Sequence, residues 1–453
     1  MTNITAIALI IFAATYILMF SFQKIRPYVA CGAAALLVVL GSTGILPGFS
    51  YTLPEAVSEI DWNVLMMIAG TMGTVFFFID SKMPNRLAEL VVSKVSNVKW
   101  MVLVLSLFAG IISAFVDNVA TVLMVAPVAL AICRRLDISP VPAVICIAVS
   151  SNLQGAATLV GDTTSILLAK AANLDFMDFF FVAGKPGMFW VTELGAAAAA
   201  LIIIFMFRKE KNSISMDSVT KVEDKVPSVL LVLTVATLIA VSFIPYESSA
   251  KPGQLYKPEI TNGLICIFYF VIGVINQFAR DKNWSRITAC LKDMDYYTLA
   301  LLAGLFIVIG GIERAGVINL IGTKLALLGG NGSRGSVFAV YSVIVWVSVL
   351  LSAFIDNIPY TATMLPVVAV LASDLSQKGG VTVDPRLFYF GLLVGATLGG
   401  NLTPIGASAN IAGIGILRKN GYEVGSGTFM KYGVPFTLAA VTTGWLLIWL
   451  IWA

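Results

Sequence analysis

The sequence predicts an all-α polytopic membrane protein, with two inverted repeats, about ten transmembrane helices, two re-entrant hairpins and two broken helices. Three observations predict this fold class. The 453 residues are 58% hydrophobic and only 12% charged, whereas soluble domains carry about 25% charged residues. Apolar runs long enough to cross a bilayer follow one another along the chain. The same polar motifs also occur in the same order in both halves.

A spanning helix requires about 20 mostly apolar residues, because the hydrocarbon core of a bilayer is about 30 Å thick. Runs of this kind predict simple spans at 4–22, 28–47, 63–81, 187–207, 227–244, 260–278, 297–313 and 433–452. The apolar stretches that do not fit one simple helix are 100–136, 141–172, 336–373 and 386–417. The first residues lack the basic region of a cleaved signal peptide, so the first run is expected to remain as a membrane helix.

One motif appears twice in the long stretches, once in each half of the chain. The letters SAFVDN occupy 113–118 and SAFIDN occupy 352–357. A proline follows ten residues after each aspartate, at Pro127 and at Pro366. Chance rarely produces such matched spacing, so the sequence predicts an internal duplication.

Further matches extend this duplication and define its boundaries. Residues 152–166 align with 397–411 at a nearly constant offset. A polar segment of mixed charge at 208–227 separates the two copies. We therefore expect a first repeat at 1–207, a cytoplasmic linker at 208–227 and a second repeat at 228–453.

The distribution of basic residues predicts the orientation in the membrane. If each hairpin enters and leaves on one side, each half has five crossings, so the halves are inverted, as in many secondary transporters. With the N-terminus outside, most of the 29 lysine and arginine residues lie in the cytoplasm, as the positive-inside rule requires. The expected location is the inner (plasma) membrane, with several spans.

Two hairpin tips carry acidic residues between apolar arms. The residues that flank Asp117-Asn118 and Asp356-Asn357 are apolar, unlike the residues of a turn that is exposed to water. The tips are therefore expected at membrane depth, against protein or a cavity. A carboxylate there costs about 2.5–3.5 kcal/mol on insertion scales. One interpretation is that each aspartate only caps the second arm. Ion binding is favoured, because Ser, Thr or Asn would cap at a lower desolvation cost.

The other two long stretches have polar, glycine-rich centres. Such centres predict unwound helices, whose free carbonyls bind cations and whose half-helix N-termini face anions. The candidate site residues of these segments are Asn152, Thr158, Asp162, Ser165, Asn401, Thr403, Ser408 and Asn410. No G-x-x-x-x-G-K-[ST] pattern is present, which argues against a P-loop NTPase.

These motifs resemble the ion transporter superfamily, in the branch of ArsB-type arsenite permeases, NhaD-type sodium/proton antiporters and the P protein group. The segments SAFVDNVATVLMVAPV, SAFIDNIPYTATMLPV and GGNLTPIGASANIAG are most similar to the P protein group. The resemblance covers essentially the whole chain. It implies ten spans with two opposed hairpins, a scaffold that often forms a homodimer, and transport by an elevator-like movement.

The resemblance also identifies residues beside the tips and one departure. Related dicarboxylate carriers have Ser-Asn-Thr at the tips, and Thr121 and Thr361 occupy similar places here. Relatives near the P protein read Gly-Asp-Pro-Pro-Asn in the first unwound segment, whereas this chain has GDTTS at 161–165. The change bears on the substrate more than on the fold.

We expect one ion site at the centre of the molecule. In this hypothesis Asp117 and Asp356 face each other with Asn118 and Asn357, and these four residues are possible Na⁺ ligands. No lysine or arginine is expected inside the site. Because the chain has no histidine, proton coupling would fall to buried carboxylates, of which Asp162 is a third.

Several functions remain open at this point. The favoured one is a secondary active transporter coupled to Na⁺ or H⁺, either as an Na⁺/H⁺ antiporter or in efflux of arsenite or another anion. A sodium-coupled carboxylate symporter and an anion channel on the same fold are alternatives. An enzyme is the least favoured class, and no cofactor is expected. The expected partners are a small ion and the lipid bilayer, without nucleic acid.

Overall fold

The computed structural model describes residues 3–210, 212–213, 220–251, 254–330, 332–379 and 383–453. Most of this described chain folds into helices that pack into one bundle. The helices of the first half are α1 (Asn3–Ser21), α2 (Arg26–Ser42), α3 (Leu53–Ser58), α4 (Trp62–Asp80), α5 (Met83–Val92), α6 (Val98–Ser113), α7 (Asn118–Arg135), α8 (Val141–Gly155), α9 (Thr163–Ala172) and α10 (Met188–Met206).

The described residues of the second half form another ten helices. They are α11 (Val226–Val241), α12 (Thr261–Asp281), α13 (Ser285–Asp293), α14 (Tyr296–Arg314), α15 (Val317–Leu327), α16 (Arg334–Ser352), α17 (Asn357–Gly379), α18 (Pro385–Gly399), α19 (Ser408–Lys419) and α20 (Ser426–Trp452). Two short strands, β1 (Phe181–Val182) and β2 (Lys185–Pro186), form an antiparallel hairpin between α9 and α10.

The length and composition of these helices confirm an all-α polytopic membrane protein. In the part of the chain that the structure describes, nine helices are long and apolar enough to cross a bilayer. They are α1, α4, α7, α10, α12, α14, α16, α17 and α20. Three of these nine helices, α7, α16 and α17, are arms of the hairpins. Helices α2 and α11 are also apolar but are shorter than the nine. The count of ten crossings and the inversion of the halves remain predictions.

The same order of elements occurs twice along the chain. The series α4 to α10 in the first half corresponds in order to α14 to α20 in the second. Helices of the two halves pack against each other. Helix α4 of the first half lies on α12 of the second, and α14 of the second half lies on α2 of the first. Likewise α9 contacts α17, and α19 contacts α7. The hairpins and broken helices of both halves therefore meet at a common centre.

Helices α8 and α18 form the core of the bundle. Every residue of α8 except Pro142 is buried, and in α18 only the first two residues are not. A helix that is apolar all round requires neighbours on every face. Helices α6, α7 and α20 pack around α8, and α16, α17 and α20 around α18.

The described part of the linker defines one side of the bundle, which we call the linker side. Asn212 accepts a hydrogen bond from the amide of Val98 at 3.1 Å. Glu223 forms ion pairs with Lys82 and Arg286, the latter at 3.2 Å. Residues 211 and 214–219 of the predicted linker lie outside the described residues. The linker side thus carries the end of α4, the start of α6 and the turn from α12 to α13.

Candidate functional site

The first hairpin tip lies between α6 and α7. Helix α6 ends at Ser113, and Asp117 precedes α7, where its Oδ1 accepts the amide hydrogens of Val119 and Ala120 at 3.0 and 3.1 Å. Asp117 is therefore the N-cap of α7, in agreement with the cap interpretation. The next residue, Asn118, is buried, and its Nδ2 donates to Oδ1 of Asn152 at 3.0 Å.

The second tip has the same backbone arrangement but a different charge partner. Oδ1 of Asp356 accepts the amide hydrogen of Ile358 at 3.1 Å. Its Oδ2 accepts from Nη1 of Arg26, at the start of α2, at 3.0 Å. Arg26 is only 8% exposed. The expectation that no lysine or arginine lies inside the site was therefore wrong, because the packing of α2 on α14 brings Arg26 to this tip.

The two broken helices hold the turns that lead into the tips. Helix α8 ends at Gly155 and α9 begins at Thr163, while α18 ends at Gly399 and α19 begins at Ser408. Between them, the hydroxyl of Thr158 donates to the carbonyl of Ala114. The hydroxyl of Thr403 makes the equivalent bond to Ala353. Each unwound segment is thus bonded to the end of the neighbouring hairpin arm.

Glycine is required where the unwound segments cross their own helices. A Cβ atom at Gly161 would lie 2.5 Å from the carbonyl oxygen of Gly155. In the second half, a Cβ at Gly406 would lie 2.6 Å from that of Gly400. Contacts this short require the backbone to move. In both halves, therefore, a backbone carbonyl lies close to a glycine of the unwound segment.

Asparagine side chains connect the two broken helices. Nδ2 of Asn152 donates to the carbonyl of Thr397 at 2.7 Å and to Oδ1 of Asn401 at 3.1 Å. Nδ2 of Asn401 in turn donates to the carbonyl of Val149 at 3.0 Å. Both asparagines are fully buried, so these bonds fix α8 against α18 beside the tips.

Asp162 connects the first broken helix to the second tip. Its Oδ2 accepts from the hydroxyl of Thr164 at 2.6 Å and lies 3.5 Å from Nδ2 of Asn357. The charges of Asp117 and Asp356 both act on this carboxylate. Asp162 therefore lies between the two tips.

A cavity of about 240 Å³ opens between the tips, α4, α13 and α14. This volume is far larger than the volume of about 10–15 Å³ that one water molecule requires. Its polar lining consists of Asp117, Asn118, Asp162, Thr163, Asp293, Asp295, Thr298, Asn357 and Ser408. Asp293 and Asp295 are exposed, so the cavity reaches the surface on the linker side. Its lining is acidic.

The candidate site residues from the sequence divide into two groups. Those that line the cavity are Asp117, Asn118, Asp162, Asn357 and Ser408. Those that lie outside its lining are Thr121, Asn152, Thr158, Ser165, Asp356, Thr361, Asn401, Thr403 and Asn410. All of this second group except Asp356 are buried. Arg26, Asp293 and Asp295 were not among the residues predicted for the site. Only Asp295 had a signal, since it aligns with Asp61 in the repeat.

A buried polar cluster precedes α12, near the end of that helix that lies away from the linker side. Nζ of Lys257 donates to Oδ2 of Asp175 at 2.6 Å, and both side chains are less than 10% exposed. The hydroxyl of Tyr246 donates to Oδ1 of Asp175 at 3.0 Å. Burial raises the pKa of Tyr246 above its usual value, so the phenol remains a donor at neutral pH. Asp175, Lys257 and Tyr246 do not belong to the lining of the central cavity.

Two solved structures have the same fold at low sequence identity. The YdaH transporter of Alcanivorax borkumensis aligns with a TM-score of 0.57 at 14% identity, covering 99% of this chain and 98% of the other. MtrF of Neisseria gonorrhoeae aligns with a TM-score of 0.56 at 13% identity, covering 100% and 95%. The likeness shows a shared fold, and the long apolar helices define a multi-pass membrane protein.

Sequence comparison identifies the family. Residues 7–395 match the family model described as citrate transporter, and the chain belongs to that family. An uncharacterized transporter of Mycobacterium bovis is 29% identical over 98% of both chains. The human P protein is 27% identical over 98% of this chain, which spans 59% of that protein. The resemblance found in the motifs is thereby confirmed.

Proposed function

We propose that the protein is a secondary active transporter that couples the movement of Na⁺ or H⁺ to the movement of a small ion, with the coupling cation bound beside Asp117. The observation that carries this proposal is the acidic cavity at the first tip. Asp117 lines it, and among the described residues no lysine or arginine forms an ion pair with this carboxylate. A cation bound there would balance a charge that is otherwise held at membrane depth at a cost.

The proposed cation site combines one carboxylate with neutral oxygens. Within the described residues, no three Asp, Glu, Cys or His side chains come together as a metal site. Na⁺ would therefore bind Asp117 with amide, hydroxyl and backbone carbonyl oxygens from the tip and the unwound segment. A proton would instead bind the Asp117 carboxylate directly.

The proposed transport step is a movement of the tips and broken helices relative to α2, α4, α12 and α14. The cavity reaches the surface on the linker side, where Asp293 and Asp295 are exposed. The alternative state would open the opposite side and close the linker side. If the linker is cytoplasmic, as the basic residues predict, the described state faces inwards.

Reconstitution into liposomes tests this function. An Na⁺ gradient is imposed, and an enclosed pH-sensitive dye reports proton movement. Loss of a charged ligand costs about 1.5–3 kcal/mol, so Asp117→Asn is expected to weaken cation affinity roughly 10- to 150-fold. Asp356→Asn is also expected to slow transport, because it leaves the Arg26 charge unbalanced. Wild-type rates in both variants would contradict the proposal.

Asp384→Asn is the matched control for these variants. Asp384 caps α18 through the amide of Arg386 at 3.0 Å, as the tip aspartates cap their helices, but it lies outside the cavity. Asparagine caps a helix as well as aspartate does, so this variant is expected to transport at the wild-type rate. A flux that saturates with cation concentration separates a carrier from the channel alternative.

A second candidate is symport of a carboxylate with Na⁺. The family description, citrate transporter, favours it, and Arg26 provides a guanidinium beside the second tip. The acidic lining opposes a polyanion unless cations bind with it. Citrate-dependent uptake of Na⁺, in place of Na⁺/H⁺ exchange in the same liposomes, would favour this candidate.

A further inference from the structure

Arg26 connects two parts of the molecule that are far apart in sequence. Its Nη1 donates to Asp356 at 3.0 Å, and its Nε donates to the carbonyl of Met19 at 3.2 Å. The second bond fixes the guanidinium against the last turn of α1. The first bond balances the charge of the second hairpin tip. A buried arginine held in this way is a permanent unit charge, since its guanidinium is not deprotonated in proteins.

The charges around the second tip come from several elements. Tyr297, at the start of α14, interacts with Arg26 and lies near Asp356 and Asp295. Asp162, from the first broken helix, is near enough to be affected by Asp356. Among these described groups Arg26 is the cation that pairs with Asp356. At the first tip no basic side chain takes the corresponding position beside Asp117, within the described residues.

We infer that Arg26 serves as a built-in counter-cation for Asp356, so that the protein binds one coupling cation, at the first tip, instead of one at each tip. The inference rests on the proposed function. The guanidinium occupies the side of the Asp356 carboxylate that a mobile cation would take, and it repels a second cation there. The duplicated fold provides two acidic tips, and Arg26 reduces them to one exchangeable site.

The number of bound cations is measured from thermal unfolding of the purified protein. A ligand that binds only the folded state adds the same stability for each tenfold rise in its concentration above Kd. The slope of stability against log concentration therefore counts the cations. Na⁺ is varied against N-methyl-D-glucamine at constant ionic strength, and pH is varied in a second series. The wild type is expected to give a slope of one cation, for Na⁺ or for H⁺.

Arg26→Gln is expected to double this slope, because Asp356 then requires a cation of its own. Arg26→Lys keeps the charge and is expected to give one cation. Arg26→Gln with Asp356→Asn removes both charges and is expected to return the slope to one. A purely structural function of Arg26 would lower stability in Arg26→Gln without changing the slope. An unchanged slope in Arg26→Gln, or a slope of two in the wild type, would overturn the inference.

A second variant applies if Arg26→Gln does not fold. Asp117→Asn keeps the Arg26–Asp356 pair and removes the proposed exchangeable site, so its slope is expected to fall to zero. A remaining slope of one cation would mean that Asp356 binds a cation despite Arg26, and the inference would be wrong. If the wild type shows no dependence on Na⁺ or pH, the proposed function itself fails. A slope of one in both wild type and Arg26→Gln contradicts the inference about Arg26 alone.

Discussion

At the first hairpin tip the Asp117 carboxylate borders an acidic cavity, whereas at the second tip the Asp356 carboxylate is paired with Arg26 at 3.0 Å. Both aspartates accept amide hydrogens at the start of the second hairpin arm. The hydroxyls of Thr158 and Thr403 make equivalent bonds to the ends of the first arms. The two tips thus share a backbone arrangement, while their charge partners differ.

The largest expected difference between the tips concerns stability. Asp356→Ala leaves the buried guanidinium of Arg26 without its partner, and breaking a buried ion pair in this way costs about 3–5 kcal/mol. Asp117→Ala removes a helix cap, which costs about 1 kcal/mol. Chemical unfolding in detergent, followed by tryptophan fluorescence, measures both values. Transport is expected to show the reverse order, with the greater loss in Asp117→Ala.

Asp384→Ala is the control for the loss of a cap outside the site. Asp384 caps α18 on the surface of the bundle, so its loss is expected to match that of Asp117→Ala. If Asp117→Ala and Asp356→Ala destabilise the protein equally, the proposed difference between the tips is wrong.

Much of this architecture could be predicted from the sequence, because it depends on local patterns. The repeated SAF-x-DN letters place a break in each hairpin, since aspartate and asparagine cap helices and Asp117 and Asp356 precede the second arms. Polar, glycine-rich centres place the two unwound segments, at Gly161 and Gly406 among others. The positions of the helix breaks followed from these patterns alone.

The partner of Asp356 could not be predicted, because it depends on packing between distant helices. Arg26 lies 330 residues away and meets this tip through the contact of α2 with α14. The equivalent contact of α4 with α12 in the other half does not bring an arginine to Asp117 among the described residues. A comparison of the two repeats finds only residues that both halves share. It therefore cannot detect a partner that only one half has.

The glycines of the unwound segments provide a test in which the two halves are expected to behave alike. A Cβ at Gly161 would lie 2.5 Å from the carbonyl of Gly155, and one at Gly406 would lie 2.6 Å from that of Gly400. Overpacking of this kind costs about 1–3 kcal/mol, so Gly161→Ala and Gly406→Ala are expected to destabilise the fold by similar amounts. The same unfolding measurement determines both.

Gly415→Ala is the matched control, because an added Cβ there meets no atom within 4 Å. Gly415 lies inside α19, and alanine is favoured over glycine in a helix by about 1 kcal/mol. This variant is expected to keep or raise stability. A strong loss in only one of Gly161→Ala and Gly406→Ala would show that the backbone crossings of the two halves are not equivalent.

The smallest expected effects concern two buried hydroxyls, one behind each tip. Thr121 and Thr361 are fully buried, and within the described residues Oγ1 of each has no hydrogen-bond partner. An unsatisfied buried hydroxyl costs about 1–3 kcal/mol, so Thr121→Val and Thr361→Val are expected to raise stability by about 1 kcal/mol. If the Thr121 hydroxyl is a ligand of the cation beside Asp117, Thr121→Val also weakens the dependence of stability on Na⁺ or pH.

Thr361→Val is expected to leave that cation dependence unchanged, because Arg26 already balances the second tip. Thr437→Val is the control for a hydroxyl that is bonded, since Thr437 is equally buried but donates to the carbonyl of Gly433 at 2.7 Å. Its loss is expected to lower stability by about 1 kcal/mol. An equal fall in cation dependence in Thr121→Val and Thr361→Val would mean that both tips bind a mobile cation, which contradicts the difference between them.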